Sequence, residues 1–382
     1  MGNFEEFVSK CICAGIDVNK MSKFKVAPIH IPASNDLISC TEILLAQQNI
    51  DVNIQDGEGN TALHRCAQVN NKVISNELIV KGENKNKENK YNLTPFEVAM
   101  KANPVAFDCM NVLLSKGIDI RHRCNNGNTA LHIAVSEKRL HNFAISFIPA
   151  NKFCMNYQND DGDTTAHLAA RNGDFSILDA LINLHADLSI VNYSDRTILD
   201  LSVHDSRIIT HLISCNVDLN RQDSNGNTAL HLAVNHHGKT KNGVKELLSC
   251  YKVNINLRNI NGYTPLMNAV YVDDVECVKW LLERKCDVNI LNKKGHTAIK
   301  SVIAVNKKVM NDQRRQIIEL LVNEEKCDLF MSSNDGFNML AIHRAVKSGN
   351  LFAAKILLEK DVKLGTIADK FKNLPIHIAS SK

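Results

Sequence analysis

Asp223-Ser-Asn-Gly-Asn-Thr-Ala-Leu-His-Leu-Ala-Val234 sets three local signals side by side. Asn225-Gly226 predicts a tight type I′ turn, since both residues accept φ > 0 at little cost. Thr228 stands where a helix is capped, its hydroxyl able to accept an amide hydrogen of the first turn. Leu230, Ala233 and Val234 then fall at i, i+3 and i+4, one apolar face of that helix. His231 lies inside the same turn and needs a role of its own.

The chain writes this text many times. Asn126-Gly-Asn-Thr-Ala-Leu-His-Ile-Ala-Val135 and Glu58-Gly-Asn-Thr-Ala-Leu-His64 are near copies. Weaker ones begin at Thr94, Thr164, Thr197, Thr264 and Thr297, and degenerate ones read Ala27-Pro-Ile-His30, Ala341-Ile-His343 and Leu374-Pro-Ile-His377. From Thr61 to Thr297 the spacings are 33, 35, 35, 33, 31, 36 and 33 residues, which is the mark of a repeat architecture. A second apolar stretch follows each first one. Arg171-Asn-Gly173 ends a helix, and Phe175 to Leu184 carries Ile177, Leu178, Leu181 and Ile182 at helical spacing. A closing phrase then leads to the next turn, as in Asp51-Val-Asn53, Asp218-Leu-Asn220 and Asp287-Val-Asn289. The unit is turn tip, helix, turn, helix.

Gly-x-Thr-Pro-Leu-His-x-Ala, the paired leucines of the second helix and the closing Asp-Val-Asn together resemble the ankyrin repeat. The resemblance covers nearly the whole chain as about eleven units. It implies an all-α ankyrin-repeat solenoid of stacked helix-turn-helix units with β-hairpin-like tips, a single array over 1–382. Units run roughly 22–55, 56–89, 90–123, 124–158, 159–191, 192–222, 223–258, 259–291, 292–333 and 334–368, between partial units 1–21 and 369–382. Departures are local. The charged run 81–92 (KGENKNKENKYN) is expected to replace a hairpin with a solvated loop, the unit from Thr197 is short, and 235–243 and 305–315 read as loop insertions.

Composition fits this reading. Hydrophobic residues at 44% and charged residues at 23% are ordinary for a globular chain. No apolar stretch approaches the ~18 residues of a membrane span. MGNFEEF lacks the charged-then-apolar pattern of a signal peptide, and Glu6 breaks the myristoylation pattern. A net charge of +4 is too small to imply nucleic acid. The twelve cysteines offer no Cys-x2-Cys zinc pattern, and most fall in apolar helical stretches, where a thiol acts as a small apolar side chain.

Histidine takes the slot of His231 in seven units: His30, His64, His132, His167, His231, His343 and His377. The ankyrin resemblance implies that it bonds locally and steadies the tip and helix start. One per unit puts each in a different layer, which argues against a metal site or proton relay. Gly-x-Ser-x-Gly, Gly-x4-Gly-Lys-Ser/Thr and His-Glu-x-x-His are missing from the sequence. Neither a catalytic residue, a cofactor nor a metal ligand is assigned.

Surface remains. Tips and first helices of such stacks align into a long concave face suited to partners. The resemblance carries contact roles to residues beside the tip glycine and after the Ala-Ala of helix one. These are Asp160, Asp161, Asp163, Arg171 and Asn172, then Asp223, Asn225 and Asn227, then Ile260, Tyr263, Tyr271 and Val272. Tip charge alternates: acidic at Asp56, Glu58 and 160–163, basic at Arg121, Arg123, Arg258, Lys293 and Lys294. Mixed sign suits a protein partner rather than a nucleic-acid groove. Asn19, Asn53, Asn220 and Asn289 resemble the asparagine that is hydroxylated in many animal ankyrin repeats. The expectation is a non-enzymatic protein-binding scaffold, in the cytoplasm or nucleus. Its alternative is the recognition arm of a larger protein (a channel, ubiquitin ligase or toxin-like protein), since 4–19 reads as half a unit and 376–379 falls inside a first helix.

Overall fold

The computed structural model describes residues 4–236, 241–304, 311–332 and 336–381. Parts of the two expected insertions, 237–240 and 305–310, lie outside the described residues. Two compact units, Met1–Asn192 and Tyr193–Lys382, divide the chain. The described residues of both contain helices and turns but no strand.

In the first unit a lone helix, Phe4–Cys13, precedes the pairs. These are His30–Ser34 with Ile38–Leu45, Ala62–Val69 with Lys72–Val80, Pro95–Lys101 with Phe107–Ser115, Ala130–Ser136 with His141–Ala150, and Thr165–Asn172 with Phe175–Asn183. The second unit pairs Ile198–Leu201 with Ser206–Ser214, Ala229–Asn235 with Asn242–Ser249, Pro265–Tyr271 with Val275–Glu283, Ala298–Ala304 with Asp312–Asn323, and Ala341–Ser348 with Leu351–Lys360; Pro375–Ser380 follows. Within each unit, first helices pack on first helices and second on second, the contact pattern of a helix-turn-helix solenoid.

Local chemistry sets these boundaries. Thr228 is extended (φ −88°, ψ 167°) and forms a capping box with His231. Proline follows the cap at Pro95 and Pro265, where its missing N–H costs nothing. Second helices open on Asn71, Asp174, Asp205, Asp274 and Asn350, each accepting a first-turn amide. First helices present buried alanines such as Ala99, Ala134, Ala169 and Ala269, which let neighbouring backbones approach. Second helices contribute Leu113, Leu181, Leu212, Leu247, Leu281 and Leu321, all buried and each worth about 1.5–3 kcal/mol.

The tip of the opening stretch is not the expected type I′ turn. Gly226 takes the left-handed region (φ 71°), but Asn225 does not, and the Gly226 N–H closes on the Asp223 carbonyl at 2.7 Å. The reason is the next tip. Ile260 N–H donates to the Asn225 carbonyl at 3.0 Å, and a Cβ on Gly226 would stand 2.7 Å from that Ile260 nitrogen. Gly226→Ala should therefore destabilise by about 2–3 kcal/mol, combining left-handed strain with a backbone clash. Gly117→Ala, at φ 69° with nothing within 4 Å, should cost only about 1 kcal/mol. Equal shifts of the two variants in urea melts would contradict this account of the tips.

The run 81–92, expected to be a solvated replacement for a tip, instead builds one. Lys90 N–H donates to the Glu58 carbonyl at 3.0 Å, and Asn92 takes the left-handed conformation (φ 55°) that glycine takes elsewhere. Glu83, within the same run, is 4% exposed, its carboxylate accepting the Leu63 N–H at 3.0 Å.

Candidate functional site

Two columns of side chains set the tips in register. His30, His64, His132, His231 and His343 of the first column each reach two units at once. In the first unit His64 Nδ1 accepts the Thr61 N–H at 3.1 Å while Nε2 lies 3.0 Å from the Leu93 carbonyl. His132 does the same with Thr129 (3.2 Å) and the Asp163 carbonyl (3.1 Å). In the second unit His231 bridges Thr228 (3.2 Å) and the Tyr263 carbonyl (2.9 Å), and His343 bridges Leu340 (3.2 Å) and the Asn373 carbonyl (3.2 Å). An Nδ1 that accepts an N–H is unprotonated, and an Nε2 against a carbonyl must donate, so one neutral tautomer is fixed. Burial pushes these imidazoles below their usual range, His64 to about 4.

Asparagines form the second column. Asn53 accepts the Asn84 N–H at 2.7 Å and Asn86 the Asp119 N–H at 2.9 Å. In the other unit Asn220 accepts from Asn254 (2.6 Å), Asn256 from Asp287 (2.9 Å) and Asn289 from Asp328 (2.9 Å). Asn19 likewise accepts the Asp51 N–H at 2.8 Å. The four asparagines singled out for their resemblance to hydroxylated positions thus each carry a bond to the following unit.

On the second unit's tip face lies a groove of about 620 Å³. Its walls come from the tips of Asp223–Asn227, Asn259–Tyr263 and Lys293–Gly295 and from the ends of two first helices. Of the sequence-predicted residues, Asn225, Asn227, Ile260, Tyr263, Tyr271 and Val272 meet here. Tyr271 is 65% and Ile260 48% exposed, so Tyr271 does not fill a gap between units. Asn235, Asn259, Asn261 and Asn268 are further lining groups that the sequence did not single out. The slot of Asn268 holds Ile133, Leu168 and Leu232 in three repeats but Arg65, Ser301 and Arg344 in three others, so no sequence signal marked it.

Other expected contact residues are placed differently. Asp223 is 5% exposed; its carboxylate accepts the Asn225 N–H (2.9 Å) and Asn227 N–H (2.8 Å) and pairs with Arg196 at 3.8 Å. Its carboxylate shapes the tip from within. Asp163, in the other unit, is also buried, pairing with Arg171 at 2.6 Å and accepting from Asn192 at 2.9 Å. Arg171 is thereby committed to Asp163, and Asn172 donates weakly to the Val135 carbonyl at 3.4 Å. Asp160 and Asp161 stand exposed at their tip.

Stacked helix pairs whose tips are tied by imidazole and amide columns define a repeat solenoid of the interaction type. A family model described as "Ankyrin repeats (3 copies)" matches residues 1–87, 66–145, 138–223 and 202–292, and the chain belongs to the ankyrin-repeat family. Over 389 aligned residues it is 27% identical to the transient receptor potential cation channel subfamily A member 1 of Homo sapiens, covering 98% of this chain and 31% of that protein. It is 28% identical over 161 residues to the nuclear factor NF-kappa-B p105 subunit of Gallus gallus, covering 41% of this chain and 16% of that one. The chain thus spans less than a third of the length of either relative. Among solved structures, the ankyrin repeat domain of Bcl-3 aligns with a TM-score of 0.51 at 24% identity, covering 57% of this chain and 95% of that domain, a likeness of fold. Ankyrin repeats are protein–protein interaction modules. No described helix is long and apolar enough to cross a membrane.

Proposed function

We propose that the chain is a non-enzymatic scaffold that binds a protein partner on its tip and first-helix face, centred on the groove at Asn225, Ile260, Tyr263 and Tyr271. The observation that carries this reading is Tyr271. A large aromatic side chain stands 65% exposed at the rim of a groove, where aromatic anchors concentrate binding energy. Asp160 and Asp161 offer a second, acidic contact on the first unit. The histidines of the slot serve the fold; His64, His132, His231 and His343 are bonded on both ring nitrogens. The scaffold acts in the cytoplasm or nucleus, and nucleic acid is not its ligand, because tip charges alternate in sign.

Tyr271→Ala should weaken partner binding by about 1–3 kcal/mol with little change in melting temperature. Lys355→Ala with Glu359→Ala, an exposed pair on a second helix, is the control and should leave affinity unaltered. Affinity measured against a partner recovered by pulldown decides it. A control pair that abolished binding while Tyr271→Ala did nothing would put the partner on the other face.

A second reading is favoured by the near-complete alignment to part of the channel subunit. In it, this chain is the recognition arm of a longer protein. An antibody against residues 124–158 would then detect a native product well above 42.6 kDa; a native product at that mass would remove this reading.

A further inference from the structure

We infer that the groove around Asn268 holds the backbone of an extended peptide segment bearing a carboxylate side chain. This deepens the proposed function and rests on it. Asn268 sits on the helix Pro265–Tyr271, only 7% exposed, with its carboxamide lining the groove. Among the described residues no partner for that carboxamide is found. Its polar atoms are not sealed from solvent, so the amide faces the groove with hydrogen-bonding capacity that a ligand can use. The same slot holds Leu168 and Leu232 in two repeats and Arg65 and Arg344 in two others, so the packing leaves its polarity open. What Asn268 adds to the groove is an accessible amide.

A carboxamide offers one acceptor and a pair of donors, the complement of a peptide unit's N–H and C=O. Asn225, Asn235 and Asn261 present further amides with no bond from their side chains among the described residues. Amides spaced along a groove read main chain, which is common to all sequences, and leave side-chain choice to the rim. Charge supplies that choice. No carboxylate lines the groove, and its one charged lining group, Lys294, has no acidic partner among the described residues. Arg258 and Lys293 add positive charge on the flanking tips. An aspartate or glutamate of the partner complements this field, and Tyr271 with Ile260 gives an apolar neighbour a place to rest.

The test uses the full chain and a phage-displayed library of random dodecapeptides, with selected peptides synthesised and measured by fluorescence anisotropy. Selected sequences should share an aspartate or glutamate. Their affinity should fall at least tenfold for Asn268→Leu and for Lys294→Glu, both with unaltered melting temperatures, and at least tenfold when a central peptide nitrogen is methylated. Equal selection on wild-type and Asn268→Leu chains would overturn the inference. So would enrichment of basic peptides, indifference to N-methylation, or binding confined to a glycan array. The two levels separate cleanly. If a protein partner still depends on Tyr271 but ignores Asn268→Leu, the peptide inference fails and the scaffold stands. If it ignores both, the scaffold reading fails as well.

Discussion

His122→Ala should destabilise the first unit by about 3–5 kcal/mol near pH 6, the cost of stranding a buried charge. In the repeat Thr94-Pro-Phe-Glu97 a glutamate occupies the histidine slot. Its Oε2 accepts the Thr94 N–H at 2.7 Å and the Thr94 hydroxyl at 2.8 Å, so it caps the helix as histidine does. What a carboxylate lacks is a proton to donate to the next unit. The next unit answers with a donor: His122 Nδ1 lies 2.8 Å from Glu97 Oε1, with Glu88 3.1 Å from its Nε2. The Glu97 carboxylate raises the His122 pKa above its usual range, with Glu88 helping. A raised imidazole contributes stability that is full below about pH 6.5 and is lost as pH rises through its folded value. The gap between wild type and variant should accordingly narrow in alkaline solution. Adding Glu97→Gln removes the stranded charge and should recover much of the loss. Urea unfolding at pH 6 and pH 9 reads both effects; a single-variant cost under about 1 kcal/mol would show that Glu97 is not compensated by His122.

Glu83→Gln should stabilise the same unit by about 3–5 kcal/mol at pH 9 and have little effect at pH 4. Burial pushes the Glu83 carboxyl up to about 8, with the nearby Asp51 charge adding to it and the Leu63 N–H and Thr61 hydroxyl offsetting only part. Because the folded value exceeds the unfolded value of 4.5, the protonated carboxyl contributes stability below pH 4.5 that is lost as pH rises to about 8. Glutamine keeps the acceptor for Leu63 and cannot ionise. His64 works in the opposite sense. Its folded value of about 4 lies below the usual 6.5, so its stability is present above pH 6.5 and lost as pH falls toward 4. In the wild type the two slopes oppose each other between about pH 4.5 and 6.5. The Glu83→Gln chain should therefore lose stability on acidification more steeply than the wild type. Parallel pH profiles for the two chains would contradict the buried carboxyl.

The helix pairs were legible because each is written locally: threonine cap, apolar face, left-handed break, second apolar face. Period alone then implied stacking. What sequence could not reveal is what one unit does to the next. The Asn225-Gly226 dipeptide favours a type I′ turn in isolation, yet the Ile260 amide selects another geometry. Glu97 was visible in a histidine slot, but its partner lies 25 residues on, outside any motif. Acidic tips looked like partner contacts because exposure is invisible in a string of letters. Asp163 and Asp223 are held by Arg171 and Arg196, and Asp56 by Arg65. The 45 asparagines, readable as coding bias, in fact include a column that ties successive closing phrases together. At the groove, Tyr271, Tyr263, Ile260 and Asn225 were legible from their slots, whereas Asn268 appeared only when its side chain was found lining the groove beside them.

The central claim is that a protein partner sits on the tip face at this groove. A photo-crosslinking amino acid placed at the Tyr271 position, and separately at the Lys279 position on the second helix Val275–Glu283, tests it in living cells. The account predicts a discrete covalent adduct to one partner from position 271 and none from position 279. An adduct from 279 with none from 271 would contradict it.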